Sequence, residues 1–260
     1  MTRTTAQLAS VTLVLGLLML PGSAGALQMF SDTGLVASDI QDTITAYLAA
    51  LGNPNNGNAP GPLAGGHRAI NWDGGGPPVV NGTPSPPATP FTVFQNTRGA
   101  TFTTPGTGLT QAPSGAIPPG GTNALSDINP TYDDLFAFFS PNRLFTPVGS
   151  NVTDGVFSIP GTGGSVPAQV SGFGAVFSDV DLEGPTTIEY FDRFGNVIDE
   201  LTVPAITGNQ TFSFLGIVLD PGENLITRIR ITTGTTALGP DESLPTVDLV
   251  VMDDFFYGEP

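Results

Sequence analysis

The chain has no cysteine and no lysine among its 260 residues, and only one histidine and one tryptophan. Without cysteine there is no disulfide and no thiolate chemistry. An exported domain of this length must then rely on core packing and on any hard cation it binds. A single imidazole excludes a histidine-rich zinc site. A Ser-His-Asp triad would have to use His67, which sits in a Gly/Pro-rich tract, and the chain contains no G-x-S-x-G elbow. Charge is also scarce, at 12% of residues, and all seven basic residues are arginines, set against 23 carboxylates. The resulting net charge of −16 repels nucleic acid and anionic lipid, and suits a saline or Ca²⁺-containing medium.

Long apolar runs are missing after the first twenty residues. Arg3 precedes the apolar stretch Leu8–Leu20, which Pro21-Gly22 breaks, and Ala24-Gly25-Ala26 follows. This is the layout of a signal peptide, too short to span a bilayer. Cleavage is expected after Ala26, giving a secreted chain with no membrane span. Six arginines then face 23 acidic residues, a net charge of −17. The final residues, Tyr257-Gly-Glu-Pro260, carry no anchoring pattern.

Glycine (34) and proline (25) are plentiful, which favours turns and short strands over long helices. The one helix signal covers residues 38–51. Ser38 and Gln41 make a capping-box pattern, Asp39 and Asp42 sit in the first turn, and Ile40, Ile44, Tyr47, Leu48 and Leu51 form one apolar stripe. Residues 53–90 are rich in Gly, Pro and Asn, and read as a long loop region. From Phe91 onward, short β-branched and aromatic runs alternate with turn residues. The clearest are Val170–Asp181, Thr187–Asp192, Phe212–Val218, Ile226–Ile231 and Val247–Tyr257. In Thr227–Ile231 both arginines fall on one face and Ile229 and Ile231 on the other. Gly174 and Gly216 interrupt apolar strands, which marks bulges or close backbone approaches. The expectation is an all-β fold: an antiparallel, jelly-roll-like β-sandwich over 91–260 with one N-terminal amphipathic helix within 27–52. Residues 27–260 then make one folded unit.

The runs Gly172-Phe-Gly-Ala-Val-Phe-Ser-Asp-Val-Asp181, Ile188-Glu-Tyr-Phe-Asp192, Phe214-Leu-Gly-Ile217, Ile229-Arg-Ile231 and Asp253-Asp-Phe-Phe-Tyr-Gly258 resemble β-sandwich domains of secreted bacterial proteins. Many such proteins carry a C-terminal PEP-type sorting signal; its anchor helix and basic tail do not occur here. Leu51-Gly-Asn-Pro-Asn-Asn-Gly57 and Gly66-His-Arg-Ala-Ile-Asn-Trp-Asp-Gly74 look like an uncharacterised exported subgroup with the same layout. The resemblance implies a β-sandwich and extracellular placement. Similar jelly rolls include carbohydrate-binding modules.

Two groups of residues stand out as candidate sites. Asp179, Asp181 and Glu183 alternate at a strand end, and Asp253 and Asp254 close the last strand. Asp179, Asp181, Asp253 and Asp254 are therefore the expected ligands of a structural Ca²⁺, which takes six to eight oxygens. The competing reading is solvated charge at strand ends. Arg68, Asn71, Trp72 and Asp73 form the expected ligand-binding group, with the indole as a stacking platform for a sugar. The competing reading is that Trp72 fastens its loop to the core. A carboxylate pair such as Glu189 and Asp253 would be needed for glycoside hydrolysis. The functional expectation is a secreted non-enzymatic module binding an extracellular polysaccharide or cell-surface component. A self-associating matrix protein and a carbohydrate-active hydrolase are the alternatives.

Overall fold

The structure, a computed structural model, describes residues 27–74, 87–112, 125–126, 128–141, 143–220 and 225–260. The expected leader, residues 1–26, lies outside the described residues. So does part of the loop tract, residues 75–86.

The described residues form two antiparallel sheets packed face to face, an all-β sandwich. The larger sheet has the order β1 (Leu27–Gly34), β10 (Phe212–Leu219), β7 (Gly172–Ser178), β12 (Val251–Gly258), β5 (Leu144–Val148), β4 (Gly108–Ala112). Its seventh strand, β2 (His67–Ile70), also pairs with β12. The smaller sheet runs β3 (Ala100–Thr103), β6 (Val152–Phe157), β11 (Arg228–Thr232), β8 (Thr187–Phe191), β9 (Val197–Thr202). Aromatic and branched side chains fill the space between them, including Trp72, Phe102, Phe145, Phe173, Tyr190, Ile229 and Phe255.

The seven-stranded sheet is covered on its outer face too. Helix α1 (Gln41–Leu51) lays Ile44, Tyr47 and Leu51 on Val176, Phe214, Val218 and Phe256. Further along that face, Leu125, Tyr132, Leu135 and Phe136 cover Leu144, Leu249 and Val251. Every residue of β7, β10 and β12 is consequently buried, and their sequences read as unbroken apolar runs without a period of two. Strand β11 has one face open and keeps the alternation, with Arg228 and Arg230 outward and Ile229 and Ile231 inward.

Several local expectations are corrected. Residues 27–34, grouped with the helix by sequence, form edge strand β1 along β10. The expected capping box at Ser38 does not form, and no side chain caps α1; Asp39 instead closes the short turn before it, its Oδ2 accepting the amides of Leu35 (2.9 Å) and Val36 (3.1 Å). The loop tract contributes β2 to the larger sheet, so residues 53–90 are not loop throughout. The final strand begins at Val251, so Val247–Val250 lie outside it. Gly174 and Gly216 do sit opposite one another in the β7–β10 ladder. A Cβ at Gly216 would come within 2.9 Å of the Tyr47 ring, so Gly216 is the floor on which the helix tyrosine rests, and a Cβ at Gly174 would meet Gly216 and the Phe214 ring.

Strand β12 pairs with β7 on one side and changes partner on the other. Met252 pairs with Phe145 of β5, whereas Phe255–Gly258 pair with β2. A bulge at Asp253-Asp254 separates the two pairings.

Candidate metal centre

The chain turns sharply on leaving β7. Asp179 takes a left-handed backbone conformation (φ 71°), which aspartate tolerates better than most residues. This turn, rather than strand alternation, brings Asp181 beside it. The long β11–β12 loop adds Glu242. One carboxylate oxygen from each of Asp179, Asp181 and Glu242 lies within 4.8 Å of the others. Asp179 and Asp181 are buried and Glu242 is half-buried.

The surroundings distribute hydrogen bonds unevenly. Asp181 Oδ1 accepts the Gly208 amide at 2.6 Å, and Glu242 Oε1 accepts the Leu249 amide at 3.3 Å. Behind them Asp248, fully buried, accepts the amides of Asp181 and Leu182, both at 3.3 Å. Both oxygens of Asp179 are buried and have no hydrogen-bond partner. The adjacent Gln210 amide donates instead to the Leu135 carbonyl at 2.8 Å. Among the described residues, the ion pairs use Glu259 and Asp154, and none of these four carboxylates.

Such a cluster is costly when ionised. Burial, reinforced by Glu242, Asp181 and Asp248, pushes Asp179 up to about 9. Burial, reinforced by the charges of Asp181 and Asp248 and opposed by the Leu249 amide, raises Glu242 to about 7, and burial raises Asp248 to about 6. Buried carboxylates with no cationic partner are a donor set for a metal ion, and the Asp179/Asp181/Glu242 cluster can hold one.

The expected set of four aspartates is thereby split. Asp253 and Asp254 belong to the β12 bulge and not to this cluster. Asp253 Oδ2 accepts the Phe139 amide at 2.7 Å, and Ser140 Oγ donates to Asp254 Oδ1 at 2.6 Å. The two carboxyls share a hydrogen bond, and burial raises both. Because the bulge turns two successive side chains to one side, they satisfy each other and the 139–140 backbone. Glu242 and Asp248 escaped the sequence reading for different reasons. Glu242 is about sixty residues from Asp181 in a Pro-Asp-Glu-Ser turn, where acids are ordinary. Asp248 looked like the solvent side of a strand that actually starts three residues later.

The expected ligand-binding group also resolves differently. Trp72 is fully buried, stacked on Phe145 (3.7 Å between centroids, 4° between planes) and edge-on to Phe94, Phe102 and Phe255. Its indole has no face to offer a sugar, because the seam between β5 and β2 needs an aromatic filler. Arg68 is fully buried in a two-pronged ion pair with Glu259, Nε to Oε2 at 2.8 Å and Nη2 to Oε1 at 2.6 Å. Asn71 is exposed and donates to Asp73 Oδ2 at 3.0 Å. Asp73, half-buried, is raised to about 6 by burial and by Asp254, with Arg143 opposing. His67 is buried, its Nδ1 2.7 Å from the Gly52 carbonyl. Glu189 and Asp253, the pair considered for hydrolysis, lie in different sheets, with Asp253 fully buried.

Comparison with protein-family models, with curated proteins and with solved structures gave no match in any of the three.

Proposed function

We propose that the protein is an exported, non-enzymatic β-sandwich module, stabilised by Ca²⁺ at Asp179, Asp181 and Glu242, that presents a binding surface to an extracellular polysaccharide or cell-surface component. The observation that carries the cation reading is Asp179, whose two buried, unpartnered oxygens face two further carboxylates. Ca²⁺ is preferred over Mg²⁺ because an all-carboxylate site supplied by loops suits the larger ion's adaptable oxygen coordination better than the near-ideal octahedron the smaller ion demands. The ion would tie the end of β7 to the β11–β12 loop, while the Gly208 amide on Asp181 holds the approach to β10 beside them.

Export is supported by the apolar leader with its Ala-Gly-Ala site. The non-enzymatic reading is supported by the engagement of His67 and the burial of Asp253 and Asp254. From β5 onward every connection except the β8–β9 hairpin crosses between the two sheets, which supports a jelly-roll type of connection. Self-association is the competing reading. It is favoured by the open edge strand β9, where Val197 and the neighbouring Phe194 are 53% and 67% exposed.

Melting the protein in EDTA and in millimolar Ca²⁺ tests the cation, and a glycan array with Ca²⁺ tests the binding role. A Ca²⁺-independent melting curve removes the first. An array without a hit, beside a concentration-dependent increase in mass, replaces the second with self-association.

A further inference from the structure

The carboxylate cluster borders a cleft. Glu242 belongs to both. One of its oxygens lies within 4.8 Å of oxygens of Asp179 and Asp181, and the residue lines an open cleft of about 400 Å³. Thr131, Asp134, Leu135, Asn209 and Asp241 line the rest. Two pairs of chain neighbours join cleft and cluster. Asp241 precedes Glu242, and Asn209 follows Gly208, whose amide donates to Asp181 Oδ1 at 2.6 Å.

The walls are held by their own bonds. Asn209 Nδ2 donates to the Asp134 carbonyl at 3.1 Å, and the Gln210 amide donates to the Leu135 carbonyl at 2.8 Å. Tyr132 Oη donates to the Pro240 carbonyl and Asn129 Nδ2 to Asp241 Oδ1, both at 2.8 Å. A site ordered in advance loses less binding free energy to immobilisation.

The cluster does not complete a Ca²⁺ shell. Asp181 Oδ1 and Glu242 Oε1 each accept a main-chain amide. Four carboxylate oxygens remain free of main-chain bonds: both of Asp179 and one each of Asp181 and Glu242. Ca²⁺ takes about six to eight oxygens, so about two to four come from elsewhere. Asp179 and Asp181 are buried and Glu242 is half-buried, so the open side of the ion faces Glu242 and the cleft.

Charge selects what fills that side. No arginine lines the cleft. The exposed Asp134 carboxylate has no hydrogen bond or ion pair among the described residues, and Asp241 keeps one oxygen unbonded. An anionic ligand would meet these two carboxylates, and a cationic one would meet the metal. A neutral polyol suits both: its hydroxyl oxygens ligate the cation and its hydroxyl protons are donated to carboxylates.

We infer that this cleft binds a neutral polysaccharide directly through the cation, two neighbouring sugar hydroxyls completing the Ca²⁺ shell beside Glu242 while Asp134 and Asp241 accept hydrogen bonds from the saccharide. The inference rests on the cation and polysaccharide readings above, and gives them one shared site.

The test uses the full chain, first with Ca²⁺ and then with Tb³⁺, whose luminescence lifetimes in H₂O and D₂O count the waters on the ion. The probes are neutral gluco-, galacto- and manno-oligosaccharides. Their per-O-methylated forms and an oligogalacturonate are the comparisons. Calorimetry should show binding of a neutral oligosaccharide in Ca²⁺ that EDTA abolishes, and no binding of its methylated form. At saturation Tb³⁺ should lose about two waters. Asp134→Ala should weaken saccharide binding about tenfold, equivalent to about 1.4 kcal/mol, and leave the Ca²⁺ affinity unchanged. Saccharide binding that persists in EDTA, or leaves the Tb³⁺ water count unchanged, overturns the cation-mediated site while a polysaccharide role elsewhere stands. Unchanged saccharide affinity in Asp134→Ala overturns the placement in this cleft. Equal binding of the uronate overturns the neutral ligand class. Ca²⁺ binding with no response to any saccharide overturns the inference and leaves the cation reading standing. No Ca²⁺ binding at all fails that parent reading instead.

Discussion

The indole Nε1 of Trp72 donates a 2.7 Å hydrogen bond to the main-chain oxygen of Asp253, at the bulge where β12 exchanges β5 for β2 as its neighbour. The bulge takes residues 253–254 out of regular pairing, and the indole satisfies one of the carbonyls left over while its ring fills the gap beside Phe145. One side chain thus closes a sheet seam and anchors the loop that carries it. Trp72→Phe should retain most of the stacking but strand that buried carbonyl, at a cost of about 1–3 kcal/mol. Trp72→Ala should cost about 3–5 kcal/mol. Chemical denaturation measures both. Trp72 fluorescence should be blue-shifted, resistant to iodide quenching and unmoved by sugars; red-shifted, quenchable emission would contradict the buried seam.

The Arg68–Glu259 pair holds the C-terminal residues to the loop tract. Arg68 Nη1 also donates to the Gly57 and Thr97 carbonyls, and Asn56 Nδ2 donates to Glu259 Oε2. Glu259→Ala leaves a buried guanidinium without its counter-charge, and should destabilise the fold by about 3–5 kcal/mol. Replacing both residues with apolar ones should cost less than the single change. A double-mutant cycle on unfolding free energy decides between this and independent roles.

Stability should fall as pH rises when divalent ions are chelated. Asp179, Glu242 and Asp248 titrate near 9, 7 and 6 in the folded protein, each above an unfolded carboxylate at about 4. Their stabilising contribution is therefore complete below about pH 4 and is lost through each folded value in turn. Melting in EDTA should drop progressively from about pH 5 to about pH 9. Ca²⁺ at a hundred times its dissociation constant should restore about 2.7 kcal/mol. For a chain of this size that is roughly 5–10 °C. Asp179→Asn should flatten the chelated profile and abolish the Ca²⁺ response. A profile flat with pH in EDTA would show that the cluster carries no such charge strain.

Gly216→Ala should destabilise by about 1–3 kcal/mol, because its Cβ would meet the Tyr47 ring at 2.9 Å in a layer with no slack. The penalty should shrink when Tyr47 is first replaced by leucine. An equal penalty in both backgrounds, read from urea unfolding, would place the strain elsewhere than at the helix–sheet contact.

By itself the sequence determined the β character of this protein. Short runs of β-branched and aromatic residues between glycine, proline and asparagine leave little else to form, and the spacing from Ile40 to Leu51 marks an amphipathic helix face. It also marked Asp179 and Asp181, because acids next to an apolar run are visible locally. What only the tertiary structure decided is which distant residues meet them. Glu242 and Asp248 arrive through a long loop that no periodicity describes, and Asp253 and Asp254 leave the expected set because a bulge turns them toward Ser140 and the Phe139 amide. The role of Trp72 was settled in the same way. An aromatic in a glycine-rich tract reads alike whether it caps a seam or greets a ligand, and the difference lies in whether β2 joins the sheet. Burial on both faces hid the period of two in β7, β10 and β12. The open face of the smaller sheet kept it, and that face carries Arg228.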